Sequence, residues 1–433
     1  MGQPVDQPVD QPVDQPGDQP GEQPGDEDSA AEARLRAEIR GWLAHHAAAY
    51  GPSVTHVQFH DTKAYTDACR TWQARLDEGG WGAPTWPVDH GGRGLTGTEA
   101  RIVAEEQARW NVPVGAFSVG LAMVGPTLMT HGTPAHQERF LGPLRRGEHV
   151  WCQLFSEPDA GSDLASLRTR AVRSSAGDGP DEWVVTGQKV WTSGARNADW
   201  GILLARTDPE GWRHQGITYF VVDMHSPGIE VRPLVQINGN AHFNEVHLDE
   251  VRIPADQVIG EVGEGWTVAR TTLSAERVMI GSISVADRVQ TLIDVAQASA
   301  CDGRVHDPVL RQSLAHAWTR AAILRWLGDR ALASVRRGGR PGAEASVIKL
   351  CLSTFMAELG DLAMAVAGPA GMLAGAGDTE HAYGPLQDQF LGQWASRIGG
   401  GTEQIQRNLI GEAVLGLPRE PRPTRPDSTL IQP

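Results

Sequence analysis

The segment from Trp151 to Asp163 is the part of the sequence best suited to hold a small ligand. It reads Trp-Cys-Gln-Leu-Phe-Ser-Glu-Pro-Asp-Ala-Gly-Ser-Asp, with small and hydroxyl residues in its second half. Such residues leave backbone N–H groups and serine hydroxyls free to face a ligand, as a planar cofactor or a phosphate requires. Taken alone, this composition is weak evidence for a site.

A second candidate group is the carboxylate of Glu276, in the string Leu-Ser-Ala-Glu-Arg at residues 273–277. A helical glutamate beside an arginine is most often half of a surface ion pair. A carboxylate that lies within hydrogen-bond reach of a substrate proton can instead serve as a general base.

Two other chemistries are excluded by their context. Residues 92–97 fit G-x-G-x-x-G, but a dinucleotide site needs an apolar strand just before this motif, and residues 86–90 read Trp-Pro-Val-Asp-His. The cysteines are widely spread without a C-x-x-C pair, which argues against a zinc site and against a disulfide framework. They are Cys69, Cys152, Cys301 and Cys351.

Hydrophobic periodicity divides the chain into three folded blocks, as its 433 residues exceed what one core accommodates. Helical spacing dominates residues 29–150, for example at 62–78, 98–110 and 116–146. Short apolar or alternating runs without intervening helices predict an antiparallel β domain over 151–262. Helical patterns return over 263–417. The helices predicted there span about 264–300, 307–338, 344–367 and 402–416.

The net charge of −15 is unevenly distributed. Residues 1–28 contain six Gln-Pro-Val/Gly-Asp/Glu repeats with eight acidic and no basic side chains, which predicts an extended, disordered tail. The rest of the chain carries −7, shows no basic cluster of the kind that binds nucleic acid, and ends in a Pro/Arg-rich tail at 418–433. We expect no membrane span and no targeting segment, and therefore a cytoplasmic protein.

Several motifs together resemble the acyl-CoA dehydrogenase family over residues 30–417. Residues 156–163, Ser-Glu-Pro-Asp-Ala-Gly-Ser-Asp, are similar to its first signature, and residues 398–407, Ile-Gly-Gly-Gly-Thr-Glu-Gln-Ile-Gln-Arg, to its second. Three further segments agree in order and spacing: Gly-Ala-Pro-Thr-Trp-Pro at 82–87, Lys-Val-Trp-Thr-Ser-Gly at 189–194, and Val-Arg-Ile-Pro at 251–254 leading to Gly-Glu-Gly-Trp at 263–266. The resemblance implies an α+β multidomain fold: an N-terminal helical domain, a central β domain and a C-terminal four-helix bundle.

The resemblance also implies FAD as cofactor. The residues implied to face it are Gln153, Phe155, Ser156, Trp191, Thr192 and Ser193. The family completes its flavin site across a dimer interface, so a neighbouring chain is implied to supply Gly368, Thr402 and Gln404. The residues implied to contact the substrate are Ser162, Ser274, Arg277 and Gly400, the last through its backbone N–H. No metal is expected.

The catalytic base is implied to be Glu276. Many family members carry a glutamate where this sequence has Gly400, and glycine cannot take a proton. The string at 273–277 resembles the isovaleryl-CoA and long-chain branches, in which the base is the glutamate of Leu-x-x-Glu-Arg on an earlier helix. Two departures bear on FAD binding: the Arg-x-x-Phe-Gly element is not visible, with Arg304 as a substitute candidate, and Gln-x-x-Gly-Gly is altered at Gly368.

These features predict FAD-dependent α,β-dehydrogenation of an acyl-CoA to the trans-2-enoyl-CoA, in fatty acid and lipid metabolism. Electrons are expected to pass to an electron-transferring flavoprotein, and the protein to be a homo-oligomer, a dimer or a homotetramer. Three alternatives stay open: a same-fold flavoenzyme acting on a carrier-protein thioester, a flavin monooxygenase, or a partner subunit of a heteromeric dehydrogenase. The acyl group cannot be deduced from the sequence.

Overall fold

The computed structural model describes residues 29–51, 62–174, 181–281, 285–300, 302–336, 344–373 and 384–419. The predicted N-terminal repeat tail and nearly all of the C-terminal Pro/Arg-rich tail lie outside these residues.

The first part of the chain is helical, as predicted. Its α-helices are α1 (Ala30–His46), α2 (Lys63–Glu78), α3 (Gly97–Ala108), α4 (Gly125–His131) and α5 (Pro134–Arg145). The prediction of one helix over 116–146 is wrong. Gly132 ends α4, and the Thr133 side chain caps α5, which starts at Pro134. A proline is tolerated in the first helical turn but lacks the N–H that an interior position needs.

The central part is a seven-stranded sheet. Its strands are β1 (Trp151–Leu154), β2 (Arg170–Ser174), β3 (Glu182–Ser193), β4 (Trp200–Arg206), β5 (Ile217–Asp223), β6 (Ile229–Leu234) and β7 (Phe243–Pro254). The pairs β2–β3, β3–β7, β4–β5 and β6–β7 are antiparallel, as predicted for this domain. The exceptions are parallel: β1 pairs with the start of β4, and β2 meets its end at one bridge. Sequence analysis missed β1 and β2, which are short.

The last part returns to helices. These are α6 (Gly265–Gly281), α7 (Ala286–Ala298), α8 (Pro308–Arg336), α9 (Glu344–Ala367), α10 (Gly384–Ile398) and α11 (Glu403–Leu409), the last followed by a π-helical turn at Ile410–Val414. The helix predicted over 264–300 is present as two, α6 and α7, and α10 was missed. Leu292, Leu314, Leu352, Phe355 and Leu386 share one buried core among α7–α10.

Helix α6 connects the β domain to this helical core. Val268 and Ala269 in its first half belong to the core of the β domain. At its first residue, Gly265, a Cβ atom would lie 2.4 Å from the backbone nitrogen of Tyr219, so only glycine permits this approach. Helix α6 also packs on α9. The helix that carries Glu276 is therefore held by both the β domain and the C-terminal helices.

One segment of the described chain, Ala345–Met372, is long and apolar enough to span a membrane by length and composition, with a mean hydropathy of 1.5. Core helices of soluble proteins meet the same criterion. Leu352, Phe355 and Leu359 of this helix are buried against neighbouring helices, so we assign no membrane role to it.

Candidate active site

A bulge in β3 turns the Trp191 side chain out of the sheet. The pairing register with β7 shifts between Lys189 and Thr192, and Trp191 adopts a φ of +62°. A left-handed backbone is unfavourable for a bulky residue, and such outliers cluster at functional sites. The indole is 60% exposed and meets Phe243 edge-on, with 5.9 Å between ring centroids. A flat aromatic side chain thus lies open on the β domain.

Two buried polar atoms beside Trp191 have no hydrogen-bond partner among the described residues. They are Oγ1 of Thr192 and Oδ1 of Asn244, which face each other in the β3–β7 register. The Asn244 Nδ2 donates to the Thr192 carbonyl oxygen at 3.0 Å. Other buried atoms of the described residues also lack a partner, but these two are neighbours and leave hydrogen-bonding capacity that a bound group could use. The residues present therefore fit a planar ring with polar edges, such as the flavin of FAD.

The Gly/Ser-rich segment is fastened beside this surface by a buried ion pair. The Glu157 carboxylate accepts from Lys189 Nζ at 2.8 Å and from the backbone N–H groups of Arg168 and Thr169 at 2.6 and 2.9 Å. Burial alone would raise the pKa of Glu157, but Lys189 and these donors outweigh it and hold that pKa below its usual range. The backbone N–H of Val190 donates to the Ser156 carbonyl oxygen at 2.9 Å. The two predicted flavin-facing segments, 153–156 and 191–193, are therefore adjacent.

Glu276 lies on α6 near the Gln153 amide of β1, which favours the ionised carboxylate. Burial raises the pKa of Glu276 above its usual range. The Gln153 amide and the charges of Arg277 and Lys349 oppose that rise. The structure thus brings the predicted base to the strand that opens the first signature. A carboxylate with a raised pKa in a partly enclosed position is suited to accept a proton.

The second signature forms a glycine turn between α10 and α11. Gly400 and Gly401 have φ of +66° and +88°, a conformation that disfavours larger residues. The Gln406 Nε2 donates to the Gly400 carbonyl oxygen at 3.0 Å, and the Thr402 hydroxyl caps α11 by accepting from the Ile405 N–H at 3.2 Å.

The side chains that were predicted to contact the substrate are not joined into one hydrogen-bonded group. Ser162 and Ser274 are exposed, and the Arg277 guanidinium donates to the Ser274 hydroxyl at 3.1 Å within α6. No hydrogen bond between described residues joins Ser162 to this pair.

The residues predicted to come from a neighbouring chain lie at the surface of the C-terminal helices. Gly368 and Gln404 are exposed and Thr402 is partly buried. Within the described part of one chain, no hydrogen bond links them to Trp191 or Ser156. Their contribution across an interface stays a prediction.

Sequence analysis missed two clefts, each of about 570 Å³. One lies between α11 and a loop in which His214 meets the Trp266 ring at 4.3 Å; its lining includes Trp212, Arg213, Ile405 and Asn408. The other, between α7 and α8, contains the substitute candidate Arg304 together with Arg311 and a half-exposed Trp318. Both join residues distant in sequence, which no local motif reveals. The described residues contain no cluster of three or more potential metal ligands among His, Cys, Asp and Glu.

Family models match the chain in three consecutive segments: the acyl-CoA dehydrogenase N-terminal domain at residues 29–148, middle domain at 152–251 and C-terminal domain at 263–415. The acyl-CoA dehydrogenase IpdE1 of Mycobacterium tuberculosis is 40% identical over 398 residues, which is 89% of this chain and 97% of that protein.

Two solved structures share the fold. The Tcur3481-Tcur3483 steroid ACAD superimposes with a TM-score of 0.78 at 27% identity, covering 91% of this chain and 99% of that chain. The ChsE4-ChsE5 complex of Mycobacterium tuberculosis gives a TM-score of 0.75 at 28% identity, with coverage of 91% and 99%. The α–β–α domain order, the matched segments and these relatives agree, and the chain therefore belongs to the acyl-CoA dehydrogenase family of FAD-binding flavoenzymes.

Proposed function

We propose that this enzyme removes two hydrogens from the α and β carbons of an acyl-CoA, giving the trans-2-enoyl-CoA, and that an electron-transferring flavoprotein is its electron acceptor. The observation that carries the proposal is the Glu276 carboxylate, which has a raised pKa and lies beside Gln153 at the edge of the predicted flavin surface. A dehydrogenation of this kind needs a base near a hydride acceptor, and the proximity of Glu276 to Gln153, one of the residues predicted to face FAD, supports this arrangement.

The residues that would hold FAD surround the Trp191 bulge. The indole offers a flat face and the Thr192 hydroxyl offers an unpaired hydrogen-bonding group. Gln153, Phe155, Ser156 and Ser193 are the other residues of this chain that are predicted to face FAD. Gly368, Thr402 and Gln404 would come from a second chain. FAD, when bound, supplies the hydride acceptor.

The chain's own residues would then manage the proton and the developing charge. Glu276 takes the α-proton, which requires its deprotonated form, so its raised pKa strengthens it as a base at the cost of activity at low pH. The Gly400 N–H donates to the thioester carbonyl and stabilises the negative charge that grows there. Being a backbone group, this donor is retained although position 400 lacks a side chain.

The variant Glu276→Gln tests the base. It should retain bound FAD but lose at least about 99% of the rate at which an acyl-CoA bleaches the flavin anaerobically, in line with loss of a general base. Glu264→Gln, an exposed glutamate just before the same helix, is the matched control and should bleach normally. Bleaching by Glu276→Gln at a rate near that of the wild type would contradict the assignment.

The proposed substrate class is a bulky acyl-CoA. Placement of the base on α6 matches the family branches that act on branched or long chains, and a structural relative at 27% identity is named a steroid ACAD. A panel of straight-chain, branched and polycyclic acyl-CoA thioesters, followed by anaerobic flavin bleaching, tests this. A preference for short straight chains would overturn it.

We also propose that a second chain of the same fold completes the FAD site. The altered elements at Arg304 and Gly368, and a relative described as the ChsE4-ChsE5 complex, favour a different family member over an identical copy. Purification of this chain alone with one FAD per chain would contradict the heteromeric assembly and support the homo-oligomer. Loss of FAD that is restored by a co-expressed family member would support it.

A further inference from the structure

Lys349 on α9 is a buried ammonium with no part in the mechanism described so far. It is 1% exposed, and its Nζ donates to the Ser396 carbonyl oxygen at 2.9 Å. Ser396 lies in the last turn of α10, where unpaired carbonyl groups give the helix end a partial negative charge that favours a cation. The Gly399–Gly401 turn follows directly, so Lys349 fixes the helix end from which the proposed thioester donor extends.

Burial lowers the pKa of Lys349, and two carboxylates oppose that fall, those of Glu403 and, to a smaller extent, Glu276. Glu403 is already neutralised by Arg397, whose guanidinium donates to both its oxygens at 2.7 and 3.2 Å. The remaining carboxylate is Glu276, reached from α9 because α6 packs on that helix. A buried charge is tolerated only when it is paired. The burial of Lys349 is therefore compensated best when Glu276 is ionised, the form that a base requires.

We propose that Lys349 is a positioning residue for dehydrogenation: it fixes the glycine turn that bears the Gly400 N–H, and its charge favours the ionised form of Glu276 on α6, the helix that packs against α9. The inference rests on the proposed function, since it assigns Lys349 an effect on the same base and the same turn. The other groups that face Glu276 are the amide of Gln153 on β1 and the guanidinium of Arg277 on α6 itself.

The sign of the effect follows from the charges. Burial raises the pKa of Glu276, and the positive charge of Lys349 opposes that rise. Removing the ammonium should raise the pKa further, so a higher pH is needed to ionise the base. On the acid side of the pH profile the rate should fall by about tenfold, as expected when one nearby charge is lost.

The test compares Lys349→Met, which keeps the length and removes the charge, with Ser353→Ala. Ser353 is buried one turn further along α9 and carries no charge, so its variant controls for disturbance of the helix. The acid limb of kcat/KM should move to higher pH in K349M and stay in place in S353A. Hydrogen exchange of the amides at 399–401 should quicken in K349M alone. If K349M folds and the acid limb of its kcat/KM profile lies at the same pH as in the wild type, the proposal is overturned.

A second measurement applies if K349M does not fold. K349M should destabilise the E276Q background less than it destabilises the wild type, because only the bond to the Ser396 carbonyl is lost there, whereas the wild type also loses the charge partner of Glu276. An equal loss of stability in both backgrounds would contradict the pairing. The failure of this inference can be distinguished from the failure of the proposed function. Rapid flavin bleaching by E276Q would contradict the proposed function. If E276Q is inactive but the acid limb of the pH profile of K349M matches that of the wild type, only the role of Lys349 is contradicted.

Discussion

At the scale of single residues, the strongest local signal of cofactor binding is the pair of orphan atoms beside the Trp191 bulge. Thr192 is buried, and its Oγ1 lacks a partner among the described residues. An unpaired buried hydroxyl destabilises a protein without its ligand and contributes once a ligand supplies the partner. This separation of effects can be measured.

We predict that Thr192→Val, which removes the hydroxyl but keeps the shape, weakens FAD binding by roughly five- to tenfold, about one hydrogen bond. The apoprotein should melt at the same or a higher temperature, because no bond is lost. Titration calorimetry with FAD and melting of the apoprotein measure the two effects. Thr186→Val, at an exposed position of the same strand, should leave FAD binding unchanged. Equal destabilisation of apoprotein and complex would contradict the assignment.

The sequence predicted many of these residues but not their surroundings. Glu276 and Trp191 stand in short strings that resemble family motifs. Asn244 and Lys349 stand in no motif, and they approach the site only through the β3–β7 register and the packing of α6 on α9. One usable signal was present: the chain has only three lysines, Lys63, Lys189 and Lys349. In a protein that uses arginine for nearly all positive charge, two of these lysines are fully buried and ion-paired or hydrogen-bonded.

At the scale of secondary-structure elements, the Glu157–Lys189 pair fastens the first signature to β3. The Lys189 side chain is fully buried and also donates to the Phe155 carbonyl oxygen at 3.0 Å. Removing the carboxylate leaves a buried ammonium with only that carbonyl and a neutral amide, which is far more costly than losing a surface ion pair.

We predict that Glu157→Gln lowers the free energy of unfolding by about 3–5 kcal/mol at neutral pH, measured by denaturant titration. Because the folded-state pKa of Glu157 is lowered, its stabilisation is complete above the ordinary glutamate pKa and is lost as the pH falls through the lowered one. The difference in the free energy of unfolding between wild type and variant should therefore become smaller at acidic pH. Asp181→Asn, which breaks an exposed pair with Arg173, should leave stability unchanged. If this difference in the free energy of unfolding stays constant down to strongly acidic pH, the Glu157–Lys189 pair is not its cause.

The elements that were predicted from the sequence differ from those that were missed in how much of their sequence pattern is local. Amphipathic spacing predicted α1–α3, α8 and α9, and alternating or apolar runs predicted β3–β7. The four residues of β1 carry too short a pattern, and its partner β4 lies almost 50 residues away. The break at Gly132 was overlooked because hydrophobic spacing continues through it, although Thr133-Pro134 is a start signal for a new helix.

At the scale of the whole molecule, the C-terminal helices present more apolar surface than a chain that works alone needs. Trp318 and Trp326, two turns apart on one face of α8, are 50% and 59% exposed. Large apolar groups exposed together mark an interaction surface. The residues predicted to serve a second chain's FAD, such as Gly368 and Gln404, are exposed on the same set of helices.

We predict that Trp326→Glu lowers the molar mass of the assembly with the second chain, whether that chain is a copy or another family member, to the masses of single chains in sedimentation equilibrium, because a charge in an apolar interface is left unpaired. The FAD content should fall with it, since the predicted site is completed by a second chain. Val88→Glu, which places the same charge at a residue 71% exposed in the N-terminal part, should change neither quantity. If the mass falls while FAD is fully retained, the flavin site lies within one chain, and Gly368, Thr402 and Gln404 do not serve a neighbour.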